Sequence, residues 1–418
     1  MRASGTLALL LALPLPQVAA TESGPWRELP AAPIEGRGFH TAIWTGEEVI
    51  VWGGSARGKL FADGAAYDPE ADRWRGISVA PLEGRTSHTA IWTGEEMVIW
   101  GGCCERRGEE FGDGAAYDPR RDRWRLLPRA SIDPRTSHTA VWTGDEMLLW
   151  GGHVFEREFS DGAAYDPKRN RWRVLPNATV EPRYSHSAVW TGDAMFVWGG
   201  ATTRPAILAN GAMFSGEWVP VEPTRPGRSA HSAVWSGAEM LVWGGCCDES
   251  GGELPGGAAY EVETGRWRAL PDSGLEARQA HVAVSAEERM LVWGGQRGFS
   301  ERFADGAAYD PAADRWSALP MGPLQARAAS VAVWTGEELV IWGGCCGPGQ
   351  RSYADGAALQ LAVGQVPSAE PTWSETAAPG LEPRDADFGV GALIALGGLI
   401  FLAAVVGFAR AVHRRSAR

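Results

Sequence analysis

The chain has 418 residues, enough for one large domain or two or three ordinary ones. Its 54 glycines and 27 prolines punctuate the chain while 21 tryptophans supply core mass, a balance that excludes low-complexity disorder and points to a turn-rich β protein. The formal charge of −12 argues against nucleic acid as a partner, because phosphate binders carry a basic balance.

Taken in chain order, residues 1–20 come first. Arg2, a mostly apolar stretch from Leu7 to Leu15 and the small residues Val18-Ala19-Ala20 read as a secretory signal peptide, too short to span a bilayer. Trp26-Arg27-Glu28-Leu29-Pro30 then stands alone, with the pattern of a fourth strand but no first three before it.

From about residue 36 to 362 one unit recurs. Residues 134–152 and 159–176 give its form, PRTSHTAVWTGDEMLLWGG and FSDGAAYDPKRNRWRVLP. The glycine pair begins at residues 53, 101, 151, 199, 244, 294 and 343, so seven units follow with a period of 45 to 50 residues. Within the unit, His138, Ala140 and Trp142 alternate as one strand face, and Thr143-Gly144-Asp145 makes a tight turn. Residues 147–150 are apolar on both faces, so they form a buried strand that ends at Gly151-Gly152. A variable loop leads to a third strand through Tyr165, and Asp166-Pro167 starts the turn into a fourth strand bearing Trp172. Four antiparallel strands per unit with no helical pattern between predict an all-β, seven-bladed propeller, in which stacking hides both faces of every blade. The tryptophans fall on the first, second and fourth strands, with only Trp373 outside the pattern. The seventh unit lacks a fourth strand after Leu361, so the Trp26 segment is expected to supply it and close the ring, giving a propeller over residues 21–362.

Residues 363–387, rich in Pro, Ala and acidic side chains, read as a linker. Residues 388–409 carry no charge over 22 positions and predict one C-terminal transmembrane helix, with a buried core helix as the rival reading. Arg410, Arg414, Arg415 and Arg418 in the tail 410–418 place it on the cytoplasmic side, which leaves residues 21–387 facing outward as an extracytoplasmic, single-pass membrane protein.

The glycine pair after an apolar strand, the third-strand tyrosine and the fourth-strand tryptophan resemble the kelch repeat of the galactose oxidase and kelch-like superfamily, here in a membrane-anchored bacterial form. The resemblance covers about residues 22–362. It implies the propeller strongly and function weakly, because the fold hosts binding, oxidation, epimerisation and scaffold roles. Unit four, with Asn210-Gly211-Ala212-Met213-Phe214, lacks the tyrosine and the Asp-Pro turn; Ser285 replaces a tryptophan and Ser330 a histidine.

Three sets of residues invite chemistry. His40, His88, His138, His186, His231 and His281 hold one repeat position and read as structural; His153 follows a glycine pair and breaks the pattern. Arg37, Arg85, Arg135, Arg183, Arg228, Arg278 and Arg327 enter each first strand, on the face where the loops open. They suit an anion-binding funnel, with His153 on the same ligand-binding face; equally, they suit pairing with Asp63, Asp113, Asp161, Asp305 and Asp355. All six cysteines are adjacent pairs after Gly-Gly: Cys103-Cys104, Cys246-Cys247 and Cys345-Cys346. Pairs in different blades lie too far apart to join, so vicinal disulfides fit an oxidising compartment best, with free thiols and metal or redox chemistry as alternatives.

Galactose oxidase uses two His, two Tyr and a Tyr–Cys cross-link at copper. No lone cysteine serves that role here, six of the seven tyrosines sit at or beside a third strand with Tyr184 alone in a fourth-to-first connection, and no residues match the sialic acid epimerases of this fold. No catalytic residue, metal site or cofactor is therefore expected. The reading is a binding module that presents variable loops to a protein or glycan, with a carbohydrate-active enzyme at the propeller mouth and a redox sensor as rivals.

Overall fold

The structure, a computed structural model, describes residues 25–104, 110–203, 206–247, 251–346 and 351–361. The signal peptide 1–20, the linker 363–387, the membrane segment 388–409, the tail 410–418 and Trp373 all lie outside these residues. Among the described residues no helix is long and apolar enough to cross a membrane.

Seven four-stranded antiparallel sheets make up the fold. Blade 1 shows the plan: Thr41–Trp44, Val49–Trp52, Gly64–Asp68 and Arg73–Gly76 pair in that order from the axis outward. The four apolar residues of the second strand are buried in every blade, as its two-sided apolar sequence requires. First strands touch in a closed circle, with Val331–Trp334 of blade 7 meeting Thr41–Trp44 of blade 1. Blade 7 takes its outermost strand from the chain start: Trp26–Glu28 pairs antiparallel with Gly356–Gln360, Trp26 opposite Leu359.

Each strand order places the Gly-Gly loops and the blade-to-blade connections at one end, called here the loop face. The tight turns between first and second and between third and fourth strands lie at the other, the turn face.

The hydrophobic core is divided among the junctions between blades rather than gathered in one place. Between blades 1 and 2, Ile43, Ile50 and Trp52 meet Met97 and Ile99; between blades 7 and 1, Trp342 and Val340 meet Val49 and Val51. Second-strand tryptophans pack on the fourth-strand tryptophan of the next blade, with Trp52 5.9 Å from Trp124 and Trp342 5.7 Å from Trp74. Each indole buries roughly 200 Å2, so a junction holds its blades by several kcal/mol of apolar burial.

Candidate binding face

The glycine pair builds the loop face. Gly53 and Gly54 have φ of 74° and 91°, left-handed values that L side chains rarely adopt. A Cβ on Gly53 would stand 2.7 Å from His88 Cε1 of the next blade, and one on Gly54 2.7 Å from the Gly38 carbonyl. The second glycine also donates its N–H to the arginine carbonyl of the next blade, from Gly54 to Arg85 (2.8 Å) around to Gly344 and Arg37 (2.8 Å). This stitch recurs at every junction and closes the ring.

The repeat histidines fill the space the glycines leave. His88 Nε2 hydrogen-bonds the Thr41 hydroxyl of the preceding blade at 2.8 Å, and its ring stands edge-on to Trp52 at 5.1 Å. Burial, reinforced by the adjacent arginine, pushes His40, His88, His138, His231 and His281 down to about 3 and His186 well below its usual value. They are neutral packing groups.

The arginines correct the ligand-facing expectation. Arg37, Arg85, Arg135, Arg183, Arg278 and Arg327 are fully buried, and Arg228 is 5% exposed. Arg135 is representative: Nη1 donates to the Gly151 carbonyl (3.1 Å) and to Asp161 Oδ1 (2.8 Å), and the guanidinium lies 4.0 Å above the Phe159 ring. Asp63, Asp113, Asp305 and Asp355 pair likewise with Arg37, Arg85, Arg278 and Arg327. In blade 4 Asn210 replaces the aspartate, and Arg183 reaches Asn210 Oδ1 (3.0 Å) and Glu181 Oε2 (3.2 Å). Each of these six groups is buried and engaged through Nε and Nη1 with its own blade, although Nη2 of Arg37, Arg85 and Arg135 has no protein partner, so they hold the loops in place and do not open as a funnel for anions. Blade 5 differs: Arg228 donates only to the carbonyls of Gly244, Gly256 and Pro255.

What the loop face exposes is the non-repeat part of each unit. Blades 1, 3, 4 and 6 raise short hairpins, such as His153–Val154 with Arg157–Glu158 and Gln296–Arg297 with Glu301–Arg302. Phe155 and Phe299 stand 57% and 64% exposed on two of their tips. Carboxylates tie loop to loop, with Glu110 accepting from Phe155 N (3.2 Å) and Glu253 from Gly298 N (2.9 Å). In blades 2, 5 and 7 the hairpin start is taken by a disulfide within each pair, Cys103–Cys104, Cys246–Cys247 and Cys345–Cys346. The first cysteine of each pair is buried and bridges the entering segment at Thr86, Ser229 or Ala328.

Two residues that break the repeat meet here. The His153 ring packs on Tyr184 of the next blade at 4.5 Å, and His153 Nδ1 lies 3.2 Å from the Phe155 carbonyl. Burial lowers the His153 pKa and raises that of Tyr184. Both sit in the bridge that every blade forms between the residue after its arginine and the residue after its glycine pair, Thr136 with His153 in blade 3 and Tyr184 with Ala201 in blade 4. Another unannounced feature rings the mouth: the residue before each histidine position, from Phe39 and Ser87 to Ala329, is left-handed without being glycine. No group of three His, Cys, Asp or Glu able to hold a metal ion occurs among the described residues.

The turn face carries a second polar layer. Arg75 of blade 1 grips Glu48 of its own blade through Nε (2.7 Å) and reaches the Tyr117 hydroxyl of blade 2 (3.2 Å). Arg125, Arg268 and Arg27 repeat this clasp toward Tyr165, Tyr309 and Tyr67. Blade 4 lacks all its parts, with Ala194, Val219 and Phe214 at the Glu, Arg and Tyr positions.

A model of the KLHDC2/KLHL20/DRC7 Kelch-repeats domain matches residues 87–215 and 230–407, more than half of the chain. No curated protein matches the chain. Among solved structures it is similar to one titled "Structure of YjhT", with a TM-score of 0.58 and 14% identity over 70% of this chain and 99% of that one, a likeness of fold.

Proposed function

Since the chain belongs to the kelch-repeat family, we propose that it is a binding module on the outer side of a membrane, anchored through residues 388–409, whose loop face recognises a protein or glycan. Kelch propellers generally bind proteins. The observation that carries the reading is the division of labour on the loop face. The repeat arginines and histidines are buried within the ring, whereas exposed side chains such as Phe155 and Phe299 belong to segments that differ from blade to blade. Variable loops on a rigid scaffold are where recognition resides, and exposed aromatics are its common anchors. The test is surface capture of neighbours of the full chain, followed by binding of each purified neighbour and of a glycan panel. A ligand at 100 times its dissociation constant adds about 2.7 kcal/mol of stability, which a melting curve reads. A panel and capture that both fail against the folded chain would overturn the proposal.

The His153–Tyr184 contact favours one second reading, a carbohydrate-active site at the mouth of the axis. It requires turnover of a sugar that His153→Ala abolishes while the melting temperature holds.

A further inference from the structure

Blade 5 departs from the other six at one point. Wherever else a repeat arginine is buried, the chain brings a carboxylate to it: an aspartate in blades 1, 2, 3, 6 and 7, and Glu181 in blade 4. In blade 5 the aspartate position is Gly256, and Arg228 forms no ion pair among the described residues. Its Nε also lacks the bond made elsewhere to the carbonyl two residues back, for example from Arg278 to Glu276 (2.9 Å).

The place of the missing side chain is open. A Cβ built on Gly256 meets no atom within 4 Å, and Gly256 itself has a φ of 64°. Around it the wall is thinner as well. Gly257 and Ala258 are partly exposed, whereas their counterparts in the other blades, such as Gly64 and Ala65 or Gly306 and Ala307, are buried. Burial draws Arg228 down to about 10, as it does Arg183, but at Arg228 no carboxylate of the chain acts against it. A guanidinium taken out of water without a counter-charge is costly, and its planar fork matches a carboxylate.

We propose that Arg228 and the gap at Gly256 form a carboxylate-binding site on the loop face, in which a ligand supplies the acidic group that the other blades carry in their own chain. This deepens the binding-module reading and rests on it. The carboxylate comes either from an acidic side chain of a protein partner or from a small organic acid, and the two sources share the chemistry at Arg228.

The test titrates the full chain with succinate, with N-acetylglutamate and with an acidic peptide, against sodium chloride at matched ionic strength, by calorimetry. Saturable binding of at least one carboxylate is expected. It should weaken about tenfold or more in Arg228→Lys, which keeps the charge and loses the fork, and in Gly256→Asp, which fills the gap from within. Arg135→Lys, at a site that already holds Asp161, should bind as the unmodified chain does. Binding of the small acids identifies an organic-acid site; binding of the peptide alone identifies an acidic protein segment. Absence of any saturable binding, or equal binding by Arg228→Lys and Gly256→Asp, would overturn the proposal. A captured surface partner that binds Arg228→Lys unchanged would leave the module reading standing while this site falls.

Discussion

The two faces of the ring use arginine in opposite ways. On the loop face a buried arginine stands at every junction, its backbone stitched to the preceding blade and its side chain locked within its own. On the turn face the Arg–Glu–Tyr clasp is about one-third exposed and is complete at four junctions only, into blades 1, 2, 3 and 6. The difference teaches which polar contacts the fold depends on. A buried group cannot lose its partner without leaving a desolvated charge or carbonyl behind, whereas an exposed clasp can be dissolved and replaced by water.

Breaking the loop-face layer by protonation should have the largest effect. The six buried histidines titrate near 6.5 when unfolded and near 3 or well below normal when folded, so the unfolded state binds more protons as pH falls. Stability is full above about pH 6.5 and should drop toward pH 3, by up to about 1.4 kcal/mol per pH unit for each histidine. Denaturant midpoints across this range check the slope, and His88→Asn should flatten it by about one proton. Next in size is Arg85→Ala, which leaves the buried Gly101 carbonyl without its donor and removes the ion pair to Asp113; a loss of about 3 kcal/mol is expected by chemical denaturation. On the turn face, Arg75→Ala should cost only about 1 kcal/mol, and Arg173→Ala, which touches Glu146 alone, less. The smallest effect sharpens the comparison in the other direction. The double change Ala194→Glu with Val219→Arg would complete a clasp toward Tyr260 and should add about 0.5 kcal/mol, visible as coupling in a double-mutant cycle.

Much of this architecture is legible in the amino-acid sequence. Trp and Gly-Gly spacing declared seven blades, and the solitary Trp26 segment is the strand that pairs with Gly356–Gln360. Adjacency alone pointed to disulfides within the Cys pairs, since pairs two or three blades apart cannot meet. The roles of the arginines were not decidable from the chain, because a ligand-facing ring and a set of internal ion pairs both repeat with the blade. Burial separates them. The vacancy at Gly256 did leave a trace, as one of two gaps in the aspartate series, but only geometry distinguishes it from blade 4, where Glu181 compensates. His153 and Tyr184 occupy positions that recur in every unit, but that the two meet across the blade 3–4 junction depends on how adjacent units pack, which spacing along the chain does not give. The left-handed residues at the mouth are Phe, Ser and Ala, which announce no special backbone.

The central claim is that the repeat residues hold the ring while the departures from the repeat do the recognising. The most direct measurement scores variants twice, by melting temperature and by retention of the partners captured by the unmodified chain. Arg135→Met should melt lower yet retain those partners when folded, and the double change Phe155→Ser with Phe299→Ser should melt normally and release them. Release by the arginine variant while folded, with full retention by the phenylalanine variant, would contradict it.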